Sequence, residues 1–190
     1  MMFMAIKPSS DKPQNIRSEI IISPWVTLVT RTVSTFHSSE PQDFHSIKVA
    51  DYVAMLAVTE DGRVPLVKQY RPAMDRFTLE LPSGLLDPNE EPINTAAREL
   101  EEETGFVPRG IIYPLGCLAP DTGRLENRLW AFITYGVTRE NWTPTEPEME
   151  VVLLTKSEFH ESIMRGEFDH ALHVAVVGLA LVHGHFSFQP

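Results

Sequence analysis

Cysteine and long apolar runs are nearly absent from this chain. Cys117 is the only cysteine among 190 residues, so no intrachain disulfide can form. A reducing compartment is the simplest assumption, and we expect a cytoplasmic protein in which Cys117, set in an apolar run, is buried. No stretch approaches the ~18 apolar residues of a membrane span. The first six residues are too few for the apolar region of a secretory signal, so we expect a soluble protein with no membrane partner.

Basic residues are also scarce. The 16 lysines and arginines face 26 acidic residues, which gives a formal net charge of −10 and a pI near 5.1. Nucleic acids and anionic membranes bind surfaces with clustered positive charge, so this deficit argues against both as partners. The acidity is concentrated, because eight carboxylates stand between Glu80 and Glu103 against the single basic residue Arg98. Carboxylates this crowded repel one another, and a divalent cation among them would stabilise the segment.

The chain is long enough for one domain of ordinary size with its own core. Residues 5–18 are rich in Lys, Pro, Ser and Asn, so we expect residues 1–18 to be a flexible leader and residues 19–190 to form a single domain. Segments with β-branched or alternating apolar residues predict strands. These segments cover residues 20–35 (broken at Pro24), 44–49, 52–59, 64–70, 77–81, 111–118, 129–137 and 151–155. Residues 60–62 predict a hairpin turn between the third and fourth segments.

Residues 92–104 predict a helix, because Pro92 is tolerated at the first helical position and Gly105 suits a left-handed C-cap. At about 100° per residue, one face should pack and a second face, about 120° away, should carry carboxylates. The packing face comprises Ile93, Ala96, Ala97, Leu100 and Thr104, and the carboxylate face comprises Glu99, Glu102 and Glu103. Two more helical patterns begin near residue 157 and cover residues 170–182. This order of elements predicts an α+β fold, an α/β/α sandwich with a mixed sheet, rather than a regular parallel βαβ array.

Carboxylates three and four residues apart on a helix can converge on one or two hard divalent cations, such as Mg²⁺ or Mn²⁺. These ions bridge phosphate oxygens of a substrate and offset charge that develops during attack on phosphorus. A glutamate-rich helix taken alone is more often a solvated face with i,i+4 pairs. The pattern of the whole segment decides between the two interpretations.

The segment from Gly84 to Phe106 resembles the signature of the Nudix hydrolases over its whole length, without a gap. The residues that carry the resemblance are Gly84, Glu90, Arg98, Glu99, Leu100, Glu102, Glu103, Gly105 and Phe106. The resemblance implies a Nudix-like fold and an enzyme that cleaves a diphosphate linked to another moiety, with Mg²⁺ or Mn²⁺ as cofactor.

The resemblance also implies a set of metal ligands. Glu99 and Glu103 would be the principal ligands. Glu102 would be a shared or second-ion ligand that takes part in catalysis, and the backbone carbonyl of Ser83 would be a further ligand.

Four other residues of the signature would be structural. The resemblance implies that Arg98 orients the carboxylates, with Glu90 as its partner, and that Gly84 and Gly105 shape the backbone. A surface arginine and an ordinary turn glycine are the alternatives for Arg98 and Gly84.

Three features outside the signature resemble the ADP-ribose and ADP-sugar pyrophosphatase branch of the family. They are residues 66–72 running into residues 80–84, Pro120 fifteen residues after Gly105, and residues 166–171 followed by a long apolar helix. This likeness implies hydrolysis of a nucleoside diphosphate sugar, with ADP-ribose cut to AMP and ribose 5-phosphate. The alternatives are another nucleotide, such as GDP-mannose or an oxidised nucleoside phosphate, and a non-catalytic domain that binds a nucleotide. The intact glutamate set weighs against the non-catalytic alternative.

The same likeness implies four substrate contacts. Arg71 would contact the phosphate or ribose, and Trp25 would stack its large flat indole on adenine. Phe44 would be the second aromatic side chain of this clamp, although residues 45–48 depart from the expected neighbours, and Pro120 would lie at the substrate. A surface arginine at a strand end is the alternative for Arg71, and a core tryptophan is the alternative for Trp25.

Activation of water needs a general base, which this branch takes from a glutamate on a loop, here residues 140–148. Glu148 is the first candidate and Glu146 the second, because Glu150 enters a strand and is expected to be structural. A solvated acidic loop is the alternative. The family also implies a homodimer built partly by the strands of residues 19–50.

The histidines near the C-terminus are the other candidates for metal binding. His170 and His173 stand three residues apart on a predicted helix, with His183 and His185 close by in sequence. No cysteine or carboxylate completes a tetrahedral zinc set in the sequence, so we do not expect zinc.

Overall fold

The structure, a computed structural model, describes residues 15–34, 40–139 and 149–189. These residues form two compact units. The smaller unit comprises the described residues up to Val49 and residues 121–126, and the larger unit comprises residues 50–120 and the described residues from 127 onward. The single domain expected for residues 19–190 stays a prediction. No helix in the described part of the chain is long and apolar enough to span a membrane.

The smaller unit contains an antiparallel sheet of three strands. They are β1 (Asn15–Ser23), β2 (Val26–Val33) and β3 (Gln42–Lys48), in that order. The β-branched run predicted the first two strands, and Pro24 falls in the turn between them. Strand β1 begins at Asn15 rather than at Glu19, so the end of the expected leader is strand. Residues 1–14 lie outside the described residues.

Glu126 attaches the segment of residues 121–126 to this sheet. Its carboxylate accepts hydrogen bonds from Arg17 at 3.1 Å, from Ser46 at 2.6 Å and from Arg31. The bond from Arg31 contributes most, and despite the opposing effect of burial these partners lower the pKa of Glu126 to about 2. A charged carboxylate therefore holds this segment against β1, β2 and β3.

The larger unit contains two sheets and three helices. Its strands are β4 (Tyr52–Thr59), β5 (Val64–Arg71), β6 (Arg76–Glu80), β7 (Ser83–Leu85), β8 (Phe106–Val107), β9 (Ile112–Leu118), β10 (Leu129–Arg139) and β11 (Glu150–Leu154). Its helices are α1 (Pro92–Thr104), α2 (Lys156–Met164) and α3 (Ala171–Val182). One sheet has the order β7-β4-β10-β8, with β9 also paired to β10, and the other has the order β11-β5-β6. The first sheet is mixed, because β4 and β10 are parallel and their other partners are antiparallel.

Strand β4 is apolar throughout because both of its faces are covered. One face joins α1 in a core cluster that includes Val53, Met55, Ala57, Ala96 and Leu100. The alternate residues join α2 and α3 in a second cluster that includes Ala54, Leu56, Val58, Phe159, Val176 and Val177. Helices thus pack on both sides of the mixed sheet, and the expected α+β fold with an α/β/α sandwich is confirmed.

Three sequence expectations differ from the structure. The turn of residues 60–62 exists, but β4 and β5 on either side of it pair within different sheets. Ile93, which was expected on the packing face of α1, is 38% exposed. Glu103, which was expected on the carboxylate face, belongs to the buried face instead, because a backbone N–H donates a hydrogen bond to its carboxylate. Cys117 is exposed rather than buried, since it lies on β9, whose only partner within the described strands is β10.

Candidate active site

The crossing segment, residues 80–83, leads from the sheet of β5 and β6 into the sheet of β4 and β7. At such a crossing the strand ladders cannot pair every backbone group, so other elements must supply partners. Each of the four residues has a hydrogen-bond partner on a different element. The pairs are Glu80 with Arg71 of β5 (2.6 and 2.8 Å), Leu81 N–H with His173 of α3 (3.1 Å), the Pro82 carbonyl with Met55 N–H of β4 (3.0 Å), and Ser83 N–H with Glu103 of α1 (2.8 Å).

Glu103 is a buried carboxylate at the inner end of the site, at 9% exposure. Burial raises its pKa to about 8, and the neighbouring Glu99 adds to the rise, whereas the Ser83 N–H and Arg71 oppose it. A carboxylate with such a pKa holds a proton at neutral pH unless a cation takes the place of that proton.

Glu99 lies one helical turn before Glu103 and fills the space beside Gly84. A Cβ added to Gly84 would come within 2.1 Å of the Glu99 carboxyl carbon and within 2.2 and 2.4 Å of its oxygens. A side chain at position 84 would therefore displace this carboxylate from its present position. Burial raises the pKa of Glu99, although Arg98 works in the opposite direction.

Arg98 is the hub of the carboxylates around α1. Its guanidinium lies 2.8 Å from Glu102, 2.9 Å from Glu99, 3.3 Å from Glu90 and 3.8 Å from Asp87. The hydrogen bond to Glu90 is the largest contribution to the raised pKa of Arg98. Sequence reasoning named Glu90 as the partner of this arginine and missed Asp87, which carries no helical spacing signal.

This arrangement fits a divalent cation. Burial raises the pKa values of both Glu99 and Glu103, and a bound cation would favour their charged forms. Their oxygens, with the backbone of Ser83 beside Glu103, are the hard donors that Mg²⁺ and Mn²⁺ prefer. Glu102 differs, because its side chain is half exposed and contacts Arg98. The structure thus brings Ser83, Glu99 and Glu103 together and leaves Glu102 at the rim.

Helix α1 presents these residues for local reasons. Pro92 begins the helix, and Gly105 ends it with φ of 73°, a left-handed conformation that glycine adopts without steric cost. The Gly105 N–H donates to the carbonyl of Glu101, which closes the last turn. The predicted helix bounds and C-cap are confirmed.

Arg71 makes a two-point contact with the buried carboxylate of Glu80. Thr78 donates a third hydrogen bond to that carboxylate at 2.6 Å. Although burial opposes it, the bonds from Arg71 and Thr78 lower the pKa of Glu80 to about 2. Arg71 is therefore anchored through one edge of its guanidinium, while its side chain remains 42% exposed.

Glu80 also completes a cluster with two histidines that the sequence could not assemble. One ligand-type atom from each of Glu80, His170 and His173 lies within 4.8 Å of the others. The cluster does not suit zinc, because the Glu80 oxygens already accept from Arg71 and His173 Nδ1 accepts from Leu81 N–H. A cation here would also be repelled by the Arg71 guanidinium. We interpret the cluster as a hydrogen-bonded support for the crossing segment.

A cavity of about 330 Å³ opens beside this cluster. Its lining includes Arg71, Met74, Thr78, Glu80, Asp169 and His170. At its rim, Arg76 and Asp169 form an ion pair at 2.5 Å. The predicted substrate residue Arg71 therefore lines a cavity together with other charged side chains.

The two aromatic residues predicted to bind a base lie in the smaller unit and are exposed. Trp25, in the β1–β2 turn, is 72% exposed. It is therefore not a core residue of the smaller unit, which was the alternative for this tryptophan. Phe44 on β3 is 51% exposed and lines a cavity of about 310 Å³ together with Arg31 and Arg124. Pro120, in the larger unit, is half-buried after the end of β9.

Both candidates for the general base, Glu146 and Glu148, lie outside the described residues. Glu150 begins β11, where its carboxylate lies 3.0 Å from Lys68 Nζ on β5. That ion pair across the β5–β11 ladder accords with the structural assignment of Glu150.

The sequence matches one family model and is similar to known enzymes. A family model described as NUDIX domain matches residues 48–172. The chain is 50% identical over 60 residues to an ADP-ribose pyrophosphatase of Bacillus subtilis, a match that covers 32% of each protein. It is 33% identical over 136 residues to an ADP-ribose pyrophosphatase of Mycobacterium tuberculosis, covering 69% of this chain and 64% of the relative. The matched regions therefore span less than two thirds of the length of both relatives.

Among solved structures, the chain resembles an ADP compounds hydrolase. The two superpose with a TM-score of 0.78 over 95% of this chain and 100% of the other. Their sequences are 18% identical, so this likeness concerns the fold.

The raised pKa of Glu103 predicts an unusual dependence of stability on pH. Between the ordinary value of 4.5 and about 8, the folded state holds a proton that the unfolded state has released. The free energy of unfolding of the metal-free protein should therefore fall as pH rises through this window, by up to ~1.4 kcal/mol per unit. Thermal unfolding in EDTA from pH 5 to 8 measures this fall.

Mg²⁺ should raise Tm more at pH 8 than at pH 5, because it binds the deprotonated carboxylates. Glu103→Gln should remove both the pH-dependent fall and the Mg²⁺ effect. Glu101→Gln, an exposed glutamate of the same helix, is the matched control and should keep both. A Mg²⁺-induced Tm shift that is the same in Glu103→Gln as in the parent protein would contradict the assignment.

Proposed function

The chain belongs to the NUDIX domain family, and on this premise we propose that it is a divalent-metal-dependent pyrophosphatase of nucleoside diphosphate sugars. The proposed substrate is ADP-ribose, which would give AMP and ribose 5-phosphate. The observation that carries the proposal is a pair of neighbouring carboxylates, the partly buried Glu99 and the buried Glu103, of which Glu103 contacts Ser83 and both have raised pKa values. The names of the Bacillus subtilis and Mycobacterium tuberculosis relatives support ADP-ribose as the substrate.

Mg²⁺ or Mn²⁺ is the proposed cofactor, with Glu99, Glu103 and the Ser83 carbonyl as ligands and Glu102 as a shared ligand. When bound, the ion would offset negative charge on the diphosphate and ease the deprotonation of water. Arg98 would keep Glu99 and Glu102 in place through its two contacts of 2.9 and 2.8 Å. Glu90 would in turn hold Arg98, and Gly84 would leave room for the Glu99 carboxylate.

Four residues are proposed as substrate contacts. Arg71 would donate to a phosphate or ribose oxygen while Glu80 fixes its guanidinium. Trp25 and Phe44 would stack on adenine, which their exposed rings support, and Pro120 would border the substrate. Glu148, or else Glu146, would accept the proton of the attacking water.

We also propose a cytoplasmic homodimer that acts on a small nucleotide-sugar substrate. The single cysteine supports the location. The dimer is supported by the exposed isoleucines of β1, which are all more than half exposed: Ile16, Ile20, Ile21 and Ile22. Exposed apolar patches of this kind are typical of protein–protein interfaces.

A substrate panel tests the activity. We expect Mg²⁺-dependent release of AMP from ADP-ribose, with slower turnover of ADP-glucose, GDP-mannose, FAD and nucleoside triphosphates. Glu103→Gln should abolish turnover with the fold intact, and Glu101→Gln should retain it. Preference for GDP-mannose or an oxidised nucleoside phosphate would change the substrate. Failure to turn over any of them, with a nucleotide still bound, would support a non-catalytic binding domain instead.

A comparison of Glu148→Gln with Glu146→Gln tests the general base. At saturating metal, loss of the base should lower kcat by about 100- to 10,000-fold, because general-base catalysis contributes that much. We expect the large loss for Glu148→Gln and a small one for Glu146→Gln. Equal small losses would exclude both residues.

Light scattering after size-exclusion chromatography tests the dimer. The parent protein should have twice the chain mass of 21.5 kDa. Ile20→Lys should give a monomer, because it places a charge among the exposed isoleucines of β1. Ile111→Lys, at another exposed isoleucine, is the control and should leave the mass unchanged. A monomeric parent protein at assay concentration would remove the dimer from the proposal.

A further inference from the structure

Leu81 is the residue of the crossing segment with the fewest ways to pair its backbone. It lies after the end of β6 and before the start of β7, so neither ladder takes its N–H. The residue is fully buried, which leaves no water to accept from that N–H. A buried backbone donor without a partner is strongly unfavourable, so the acceptor at this point determines whether the crossing can form.

That acceptor is a side chain, His173 Nδ1, at 3.1 Å from the Leu81 nitrogen. Because Nδ1 accepts, the proton of the neutral ring is on Nε2. His173 is 1% exposed, and burial lowers its pKa to about 3, with the neighbouring His170 adding to the decrease. The ring is therefore neutral and able to accept at every pH at which such an enzyme would work.

The orientation of the ring is also constrained. His170 stacks on it with ring centroids 3.9 Å apart, and Phe168 contacts it at 6.5 Å. His170 is the N-cap of α3, where its Nδ1 accepts from the His173 N–H at 3.4 Å. The start of α3 thus holds His173 in one direction, towards Leu81.

We propose that His173 is a positioning residue for the active site. From α3, its acceptor fixes the backbone of Leu81. The neighbours of Leu81 in the crossing segment are Glu80, which anchors Arg71, and Pro82, which leads into Ser83 beside Glu103. One imidazole therefore sets two distances together, that between Ser83 and the metal-binding glutamates and that between Arg71 and the substrate. This inference rests on the proposed function for its meaning in catalysis, but its effect on metal binding can be measured separately.

A core role alone does not account for a histidine at this position. The other buried residues of α3 are the apolar Val176, Val177 and Ala180. An aliphatic side chain would pack with them without the cost of burying an imidazole. The hydrogen bond to Leu81 is the contribution that an aliphatic side chain cannot make.

The test compares three variants of the full chain. His173→Leu removes the acceptor and keeps an apolar side chain. His173→Asn restores an acceptor close to the position of Nδ1. Val177→Ala, at a buried residue of the same helix, is the control for lost stability without loss of the hydrogen bond. The readouts are kcat and KM for ADP-ribose, Tm, and the affinity for Mn²⁺ alone, measured by electron paramagnetic resonance.

His173→Leu should lower Mn²⁺ affinity and kcat by about 10- to 100-fold, the usual cost of removing a residue that orients metal ligands. His173→Asn should recover most of both losses. Val177→Ala should lower Tm while leaving Mn²⁺ affinity and kcat close to the parent values. Equal losses of Mn²⁺ affinity in His173→Leu and Val177→Ala, at equal loss of Tm, would show that His173 only packs the core and would overturn the proposal.

Two further outcomes also bear on the role of His173. If His173→Leu does not fold, His173→Asn is compared with His173→Gln, whose oxygen lies nearer the position of Nε2. Weaker Mn²⁺ binding in His173→Gln than in His173→Asn supports the proposal, and equal binding overturns it. If the parent protein hydrolyses no nucleotide sugar, the proposed function fails, and the Mn²⁺ affinities still decide the role of His173.

Discussion

The hydrogen bond from the Ser83 N–H to the Glu103 carboxylate is the interaction on which the candidate active site depends. It joins the first residue of β7 to the last turn of α1, and it lies where the chain passes from one sheet to the other. Without it, Glu103 would be a buried carboxylate lacking a donor, a costly arrangement in a protein core. With it, α1 is bonded directly to the crossing segment, which connects the two sheets of the larger unit.

The charged groups around this hydrogen bond fit a bound cation, which the protein itself does not supply. Glu99 and Glu103 are closer to neutral than ordinary glutamates, whereas Glu80 and Glu90 have lowered pKa values because arginines accompany them. Arg71 and Arg98 thus outweigh burial at the supporting carboxylates, whereas at Glu99 and Glu103 burial outweighs the effect of the same arginines. Under the proposed function, such a site would give up some stability in its empty state and bind a cation strongly.

Local patterns in the sequence predicted most of what is local in the structure. The bounds of α1, its glycine cap, the positions of most strands and the carboxylates of one helix follow from spacing and residue type, whereas the short strands β7 and β8 were not predicted. Pairings that depend on topology were not predictable in this way. The turn at residues 60–62 gave no sign that its strands join different sheets, and Leu81 meets His173 across 92 positions. Burial of Glu103 was missed for the same reason, because its donor belongs to another element.

Gly84 contributes to the site through the space that it leaves rather than through charge or hydrogen bonding. Alanine is the smallest possible change there, yet its methyl group would occupy the volume that the Glu99 carboxylate fills. The space left by the absent side chain of Gly84 thus matches the shape of the Glu99 carboxylate. A side chain at position 84 would therefore require the Glu99 carboxylate to move from its place beside Gly84 and Arg98.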